Sequence, residues 1–523
     1  MRPRDLAPYF RLATGFNTYM RTPVDSAIGS RNVTRRLETR GENLVRIFER
    51  YVYGYPRSPY LALLRHAGIE LGDVRELVSR EGVEGALSLL AAQGVYASVD
   101  EFKARVPIER GSQRFKVAEE DYDHPYLQHE LEVQSGGTRS AGTRVPIKLG
   151  FTAALADDTA VLFDSHDLWR HDQAIWLPFG GGASVALLVY SKLGRVPVKW
   201  FSHVSGKELN PRFRWGARFL AGWGRLIGAR LPVPEFAPLA AAPTVARWIA
   251  ERVRAGRRPC ITTYASSAVR AATAAIDQGL SLEGAAFITI GEPMTDAKRA
   301  KIEASGAQLI VRYAITEAGI IGYGCASPKA SDDLHLLRTN LAMIDRRMSI
   351  RGGEVEVDGL LITSLLDSAP KILINVATGD YAKMEERECA DAFGHLGYHT
   401  HLSEVRSFEK LTGEGVTFAR TTLIYVLETV LPKKFGGEPT DYQLVEYETG
   451  SGLTKLSLLV NPSIGPVDEE ALKATLLDTV GWGDGAMKTF GVVWNQAGML
   501  TVRREAPIST KMGKVQPFHL QKR

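Results

Sequence analysis

The chain is poor in cysteine: Cys260, Cys325 and Cys389 are all it carries in 523 residues. An odd number at such wide spacing excludes a disulfide scaffold and points to a reducing cytoplasm. Long apolar runs are also missing. A membrane-spanning helix needs roughly 20 consecutive apolar residues, and residues 183–190, among the most apolar stretches, fall far short. The first residues, Met1-Arg2-Pro3-Arg4, lead into mixed polar sequence with no apolar signal-peptide core. Charge of one sign is not in excess either. Lys and Arg number 64 and Asp and Glu 59, a net of +5 spread along the chain. A nucleic-acid protein would cluster its basic residues, so neither nucleic acid nor membrane is expected as a partner. The Walker phosphate loop is missing, as is a G-x-G-x-x-G after a strand.

Glycine, in contrast, is abundant: 50 residues, about 9.6% of the chain, against a usual level of roughly 7%. Either tight turns are numerous or glycine-lined loops wrap a ligand. With 45% hydrophobic residues, the chain has enough apolar surface to fold, and disorder is excluded. Its length suggests roughly three structural units.

Residues 42–104 read as helices, with apolar positions at helical spacing such as Leu44, Ile47, Phe48, Tyr51 and Val52. From about 130 to 380, short apolar runs alternate with helical stretches. Strands are expected at 159–163, 196–201, 259–263, 286–290 and 308–313, with helices at 180–191, 243–255, 266–278 and 295–305. Strand, helix, strand at these lengths implies βαβ units and a parallel sheet. Residues 352–376 read as paired strands. After about 405 the chain reads as a small α+β unit, with strands at 442–448 and 455–460 and a helix at 468–480.

Four local motifs carry polar chemistry. The run 134–146 alternates glycine and hydroxyl residues with arginine. Its core, Ser135-Gly136-Gly137-Thr138-Arg139-Ser140, offers converging backbone N–H groups, hydroxyls and a guanidinium to a polyphosphate. Tyr313-Ala314-Ile315-Thr316-Glu317 closes an expected strand, and strand C-terminal ends are where ligands bind in open α/β sheets. Thr378-Gly379-Asp380 sets a carboxylate in a turn, either as a structural turn residue or as a grip on a ribose diol. Thr510-Lys511-Met512-Gly513-Lys514 places a lysine almost at the C-terminus.

In this order and spacing the motifs resemble those of the adenylate-forming superfamily of acyl-CoA synthetases and adenylation domains. The resemblance is nearest to its phenylacetate–CoA ligase branch, as a divergent member. It also takes in Gly291-Glu292-Pro293 as an adenine segment and spans residues 40–523. It departs from the family at the hinge, where Phe408 and Glu409 follow Arg406 in place of two aspartates. It departs again in the phosphate loop, where Arg139 replaces a hydroxyl and Ser140 a glycine.

The resemblance implies an α/β fold in two domains. Residues 1–405 would form a large ATP- and acyl-binding domain with a helical lead-in (1–115), parallel βαβ subdomains and a β-rich subdomain. Residues 406–523 would form a small mobile α+β domain carrying the catalytic lysine. It implies ATP, Mg2+ and a small carboxylic acid as ligands, with CoA or a carrier protein as acceptor. Residues 135–140 would cradle the outer phosphates, Glu317 would hold Mg2+, and Thr316 would bond the α-phosphate. Tyr313 and the 291–293 segment would pack on adenine, and Asp380 and Arg406 would hold the ribose. Lys514 would reach the α-phosphate and the attacking carboxylate. Trp176, Phe179, Tyr264, Ser266 and Ile315 are acyl-pocket candidates by position.

Three weaker constellations remain. Some relatives carry a cysteine cluster before the hinge, which makes Cys389, His395, His399 and His401 candidates for zinc. Arg252, Arg254, Arg257 and Arg258 would meet an acidic ligand such as the CoA phosphate, or simply form a solvated helix end. His166-Asp167 reads as a surface turn. For the activity, thioester formation competes with amide formation to an amine acceptor, and with a nucleotide-binding relative that has lost catalysis. Glu317 and Lys514 argue against the last.

Overall fold

The computed structural model describes residues 3–134, 144–178, 180–205, 222, 231–350, 355–407, 410–413, 416–419, 423, 426–437, 441–449, 454–480, 498–508 and 518–520. Two helices, Pro3–Arg21 and Ser26–Glu38, precede the stretch read as helices from residue 42. That region holds Arg40–Ile47, a π-helical turn at Phe48–Tyr53, Pro59–His66, Leu71–Ala92 and Val99–Phe102. The last is fixed by a capping box: Glu101 N–H donates to Ser98 Oγ at 3.3 Å, and Ser98 N–H donates to the Glu101 carboxylate at 2.8 Å. Two hairpins follow, β1 (Ile108–Arg110) with β2 (Gln113–Phe115), and β3 (Leu131–Gln134) with β4 (Arg144–Ile147).

The body is organised on one 12-stranded sheet. Its parallel half comprises β5 (His171–Trp176), β6 (Lys199–Ser202), β7 (Glu235–Phe236), β8 (Arg258–Tyr264), β9 (Ala286–Ile290) and β10 (Gln308–Ile315). Antiparallel strands β11 (Gly319–Gly324), β12 (Leu334–Leu336), β13 (Leu341–Ile350), β14 (Val355–Ser364), β15 (Val376–Glu386) and β16 (Thr400–Ser407) extend it. The sheet order is β13-β14-β15-β16-β12-β11-β10-β9-β8-β5-β6-β7. A short hairpin, β17 (Lys410–Gly413) with β18 (Val416–Ala419), comes next. A separate four-stranded sheet, in the order β21-β20-β19-β22, is built from β19 (Tyr442–Glu448), β20 (Thr454–Val460), β21 (Leu500–Arg503) and β22 (Phe518–Leu520).

Side chains alternate between the two faces of a strand, and here both faces are buried. Trp176, Ile261, Phe287, Leu309 and Val311 pack in one core with the alanine-rich helix Ala265–Asp277. Their neighbours Ile175, Cys260, Ile288 and Ile310 pack in a second core with helices Leu149–Ser165 and Gly181–Lys192. Such two-sided burial is why the parallel strands read as near-continuous apolar runs. A third, smaller core joins Leu444, Leu456 and Leu458 of the small sheet to Leu472 and Leu476 of helix Glu469–Val480.

One expected strand is wrong. Residues 159–163 lie inside helix Leu149–Ser165, of which residues 155–163 are buried without interruption. A helix covered on all sides loses its apolar stripe, and its run then imitates a buried strand. Among the described residues, no helix is long and apolar enough to cross a membrane.

Candidate active site

The C-terminal ends of the parallel strands gather most of the described candidates. After β9 the chain turns at Gly291 (φ +78°), a left-handed conformation open to glycine at little cost. The next carboxylate, Glu292, faces inward. It accepts hydrogen bonds from Ser266 Oγ (2.5 Å) and Ser266 N–H (3.2 Å), and lies 3.7 Å from the Lys298 ammonium. Lys298 also donates to the Pro293 carbonyl at 3.1 Å. Adenine-segment and acyl-pocket candidates are thus joined, Glu292 with Ser266, through a buried carboxylate that braces the turn.

β10 and β11 form an antiparallel hairpin, and the three residues Thr316, Glu317 and Ala318 make its turn. Gly319 closes the turn at φ +82°, and a Cβ there would stand 2.6 Å from the Phe151 ring. Both conformation and space therefore demand glycine. The Glu317 side chain is buried and ion-paired with Lys103, which also lies 3.8 Å from Glu119. Nothing in the sequence around Lys103 marks it out, and it is the clearest site residue that sequence reasoning missed. Short of the turn, the Tyr313 hydroxyl donates to Asp380 Oδ2 at 2.6 Å. The Asp380 N–H is held by Thr378 Oγ1 at 3.0 Å. Burial, the Asp380 charge and this hydrogen bond push the Tyr313 hydroxyl well above its ordinary pKa. Arg406 is paired with Tyr381 across β15 and β16, next to Asp380 in register. Its guanidinium binds Asp332 Oδ2 at 2.7 Å, and Asp332 also accepts from the Glu404 and Val405 N–H groups.

The acyl-pocket candidates divide. Trp176 is fully buried, and its indole N–H donates to the Ala237 carbonyl at 3.0 Å. Tyr264 ends β8, Ser266 lies in the first turn of the helix Ala265–Asp277 that follows, and Ile315 ends β10. Between Trp176 and Tyr264 lies His203, a second residue the sequence did not signal. Its ring stacks on Tyr264 with centroids 5.6 Å apart, and it lies 5.1 Å from Trp176 and 3.2 Å from Ser267 Oγ. Burial, reinforced by the Arg270 charge, pushes His203 down to about 3, so it is neutral at any working pH.

Phosphate-loop residues 135–140, Phe179 and Lys514 lie outside the described residues, as do Phe408 and Glu409. Of the basic run, Arg252 and Arg257 both bind Asp172, at 2.7 and 2.5 Å, and Arg258 lies 3.2 Å from Asp167. Those three arginines are tied to the surface of their own fold. His166 is not at the surface: it is buried, with Nε2 2.8 Å from the Gly324 carbonyl. Of the zinc candidates, Cys389 and His401 come together, whereas His395 and His399 stand outside their cluster.

No family model matches the chain, and no curated protein matches it at significance. Solved structures do. The chain is similar to 2-hydroxyisobutyryl-CoA ligase, solved with 2-HIB-AMP and CoA in its thioesterification state. That match has a TM-score of 0.57 at 14% identity and covers 92% of this chain and 89% of the other. Malonyl-CoA ligase matches with a TM-score of 0.41 at 15% identity, over 82% and 89% of the two chains. The amide bond synthetase McbA from Marinactinospora thermotolerans gives 0.42 at 13%, over 88% and 91%. The first match shows the fold: a large mixed-sheet body with a small sheet domain, shared with that structure.

Proposed function

We propose that this protein is an ATP-dependent acid ligase. The acid's carboxylate oxygen attacks the α-phosphorus of ATP, and pyrophosphate leaves. The CoA thiol then attacks the carbonyl of the acyl-adenylate, and AMP leaves. The observation that carries the reading is the Tyr313–Asp380 hydrogen bond of 2.6 Å at the strand ends, beside the turn that holds Glu317. It holds an aromatic ring against a carboxylate that would take the ribose diol, on the strand that leads into the turn whose carboxylate would hold Mg2+.

The adenylation transition state is rich in negative charge and is served by positioning and cations. Tyr313 and the 291–293 turn would pack on adenine, and Asp380 with Arg406 would bind the ribose hydroxyls. Residues 135–140 would wrap the outer phosphates, with Arg139 adding charge. Glu317 suits Mg2+, because a hard carboxylate oxygen is the usual protein share of a shell completed by phosphate and water. Bound there, the ion would neutralise charge between the phosphates. Thr316 would bond the α-phosphate, and Lys514, supplied by the small domain from 406 onward, would steady the attacking carboxylate. Tyr264, His203, Ser266 and Ile315 would line the acyl side, their aromatic faces suited to a flat or medium-sized acid.

Acid-dependent exchange of labelled pyrophosphate into ATP, screened acid by acid, tests this reading. Exchange with one class of acid supports it. ATP binding without exchange for any acid would favour a nucleotide-binding protein that has lost its chemistry.

A further inference from the structure

Away from the nucleotide side chains, the antiparallel half of the sheet assembles a cluster of soft donors. β11, β12 and β16 are neighbours, and their register pairs Tyr323 with His335 and His335 with His401. The His335 and His401 rings lie 4.2 Å apart, centre to centre. Cys325 directly follows β11, and Cys389 lies beyond β15 in the return towards β16. One donor atom from each of Cys325, His335, Cys389 and His401 falls within 4.8 Å of all the others.

We propose that these four residues form a closed, structural zinc site. The two sulfurs are 3.4 Å apart, and Cys389 Sγ is 3.4 Å from His401 Nε2. A disulfide would bring the sulfurs to about 2.05 Å. Zinc bonds of about 2.0–2.3 Å in a tetrahedron set neighbouring donors roughly 3.3–3.8 Å apart, a range that holds both of these 3.4 Å spacings. Groups behind the donors are arranged as metal ligation requires. His401 Nδ1 is 2.8 Å from Asp333 Oδ1, which leaves Nε2 to face Cys389. His335 Nδ1 faces the Tyr398 carbonyl at 2.9 Å, while Nε2 faces Asp391 at 2.9 Å. A neutral imidazole carries one N–H. Donated from Nδ1 to the Tyr398 carbonyl, it anchors the ring and leaves Nε2 as the nitrogen a metal would take in place of Asp391. The Arg387 guanidinium lies 3.5 and 3.6 Å from the two sulfurs and 2.7 Å from Asp333. It is placed to donate to thiolates and to offset their charge.

The site would be a knot for the strand that leads out of the body. β16 runs from His401 to Arg406 and Ser407, and Asp332, next to Asp333, holds the far end through Glu404, Val405 and Arg406. Four protein donors leave no open coordination position, so the metal is structural rather than catalytic.

Metal analysis of the full chain, purified reduced and without chelator, should find about one zinc per chain. Exchange for Co2+ should give thiolate-to-metal charge-transfer and tetrahedral d–d bands. Cys325→Ser should lose the metal or shift those bands. If that variant does not fold, the cobalt spectrum of the unmutated chain decides alone. Chain that holds no zinc and takes up neither Zn2+ nor Co2+ overturns the proposal. So does an intact mass showing Cys325 and Cys389 oxidised to a disulfide in metal-free, active protein. Loss of pyrophosphate exchange bears on the ligase reading and leaves metal content untouched.

Discussion

The Tyr313 hydroxyl reaches the Asp380 carboxylate at 2.6 Å, across 67 positions of sequence. One oxygen of Asp380 is thereby fixed, and the carboxylate is aimed by a residue whose ring, in the ligase reading, would pack on the nucleotide. The ligase reading assigns the two residues different roles, and substitution separates them. Asp380→Ala removes the diol acceptor and should raise the KM for ATP about 10- to 100-fold, as expected for charged hydrogen bonds of about 1.5–3 kcal/mol. Tyr313→Phe keeps the ring and removes only the aiming bond, so its KM should rise by no more than about fivefold. Pyrophosphate-exchange kinetics at varied ATP measure both. Equal losses would mean that Asp380 only braces the tyrosine.

Glu317 is neutralised in the structure by Lys103. A divalent ion at this carboxylate has to compete with that ammonium, so Lys103→Met should tighten Mg2+ binding. The expected fall in half-saturating Mg2+ is about tenfold, equivalent to 1.4 kcal/mol. Titration calorimetry of Mg2+ into protein loaded with a non-hydrolysable ATP analogue reads it directly. Weaker Mg2+ binding in the variant would instead make Lys103 a phosphate ligand.

Lys514 belongs to the adenylation step alone in the proposed scheme. Lys514→Ala should abolish pyrophosphate exchange by about 100-fold or more, on the scale of a lost positioned cation. Transfer of a preformed acyl-adenylate to CoA should stay within a few-fold of normal. Survival of both half-reactions would remove Lys514 from the mechanism.

Arg36 ties an N-terminal helix to the body. Its guanidinium binds Asp157 at 2.6 Å and Asp158 at 3.2 Å. The fully buried Asp158 also accepts from Thr339, Asn340 and Tyr398, at 2.9, 2.9 and 2.7 Å. Arg36→Ala leaves two acidic side chains buried without their cation. Denaturant unfolding should show a loss of about 3–5 kcal/mol. A loss below about 1 kcal/mol would mean that water or a proton compensates the pair.

How much of this was readable in advance depended on distance along the chain. Thr316 and Glu317 follow Tyr313 within four residues, and Asp380 lies in its own three-residue motif, so order and spacing singled them out as candidates. The alternating strands with their helices were readable because a parallel sheet needs both. Lys103 escaped because a lone lysine after a short helix has no signature; only the fold carries it to Glu317. The four-donor cluster escaped in part. Cys389 and His401 are close in sequence, but Cys325 and His335 join them through strand register alone, and His395 and His399 were nearer in sequence without being nearer in space. Helix Leu149–Ser165 misled because it is buried on every side.

Glu446, on β19 of the small sheet, is half-buried, and burial raises its carboxyl from 4.5 to about 7, opposed by the Lys298 ammonium. Lys298 belongs to the body, where it braces the Pro293 turn. The raised value means that the folded chain holds this proton more tightly than the unfolded chain. Its stabilising contribution is full below pH 4.5 and is lost as pH rises through about 7. One unit is worth about 1.4 kcal/mol, so the loss is at most about 3.5 kcal/mol, less whatever solvent screens. Glu446→Gln has no such titration. Its melting temperature should match that of the unmutated chain near pH 5 and exceed it by several degrees at pH 8. Parallel pH profiles for the two proteins would place the Glu446 carboxyl back in the ordinary range.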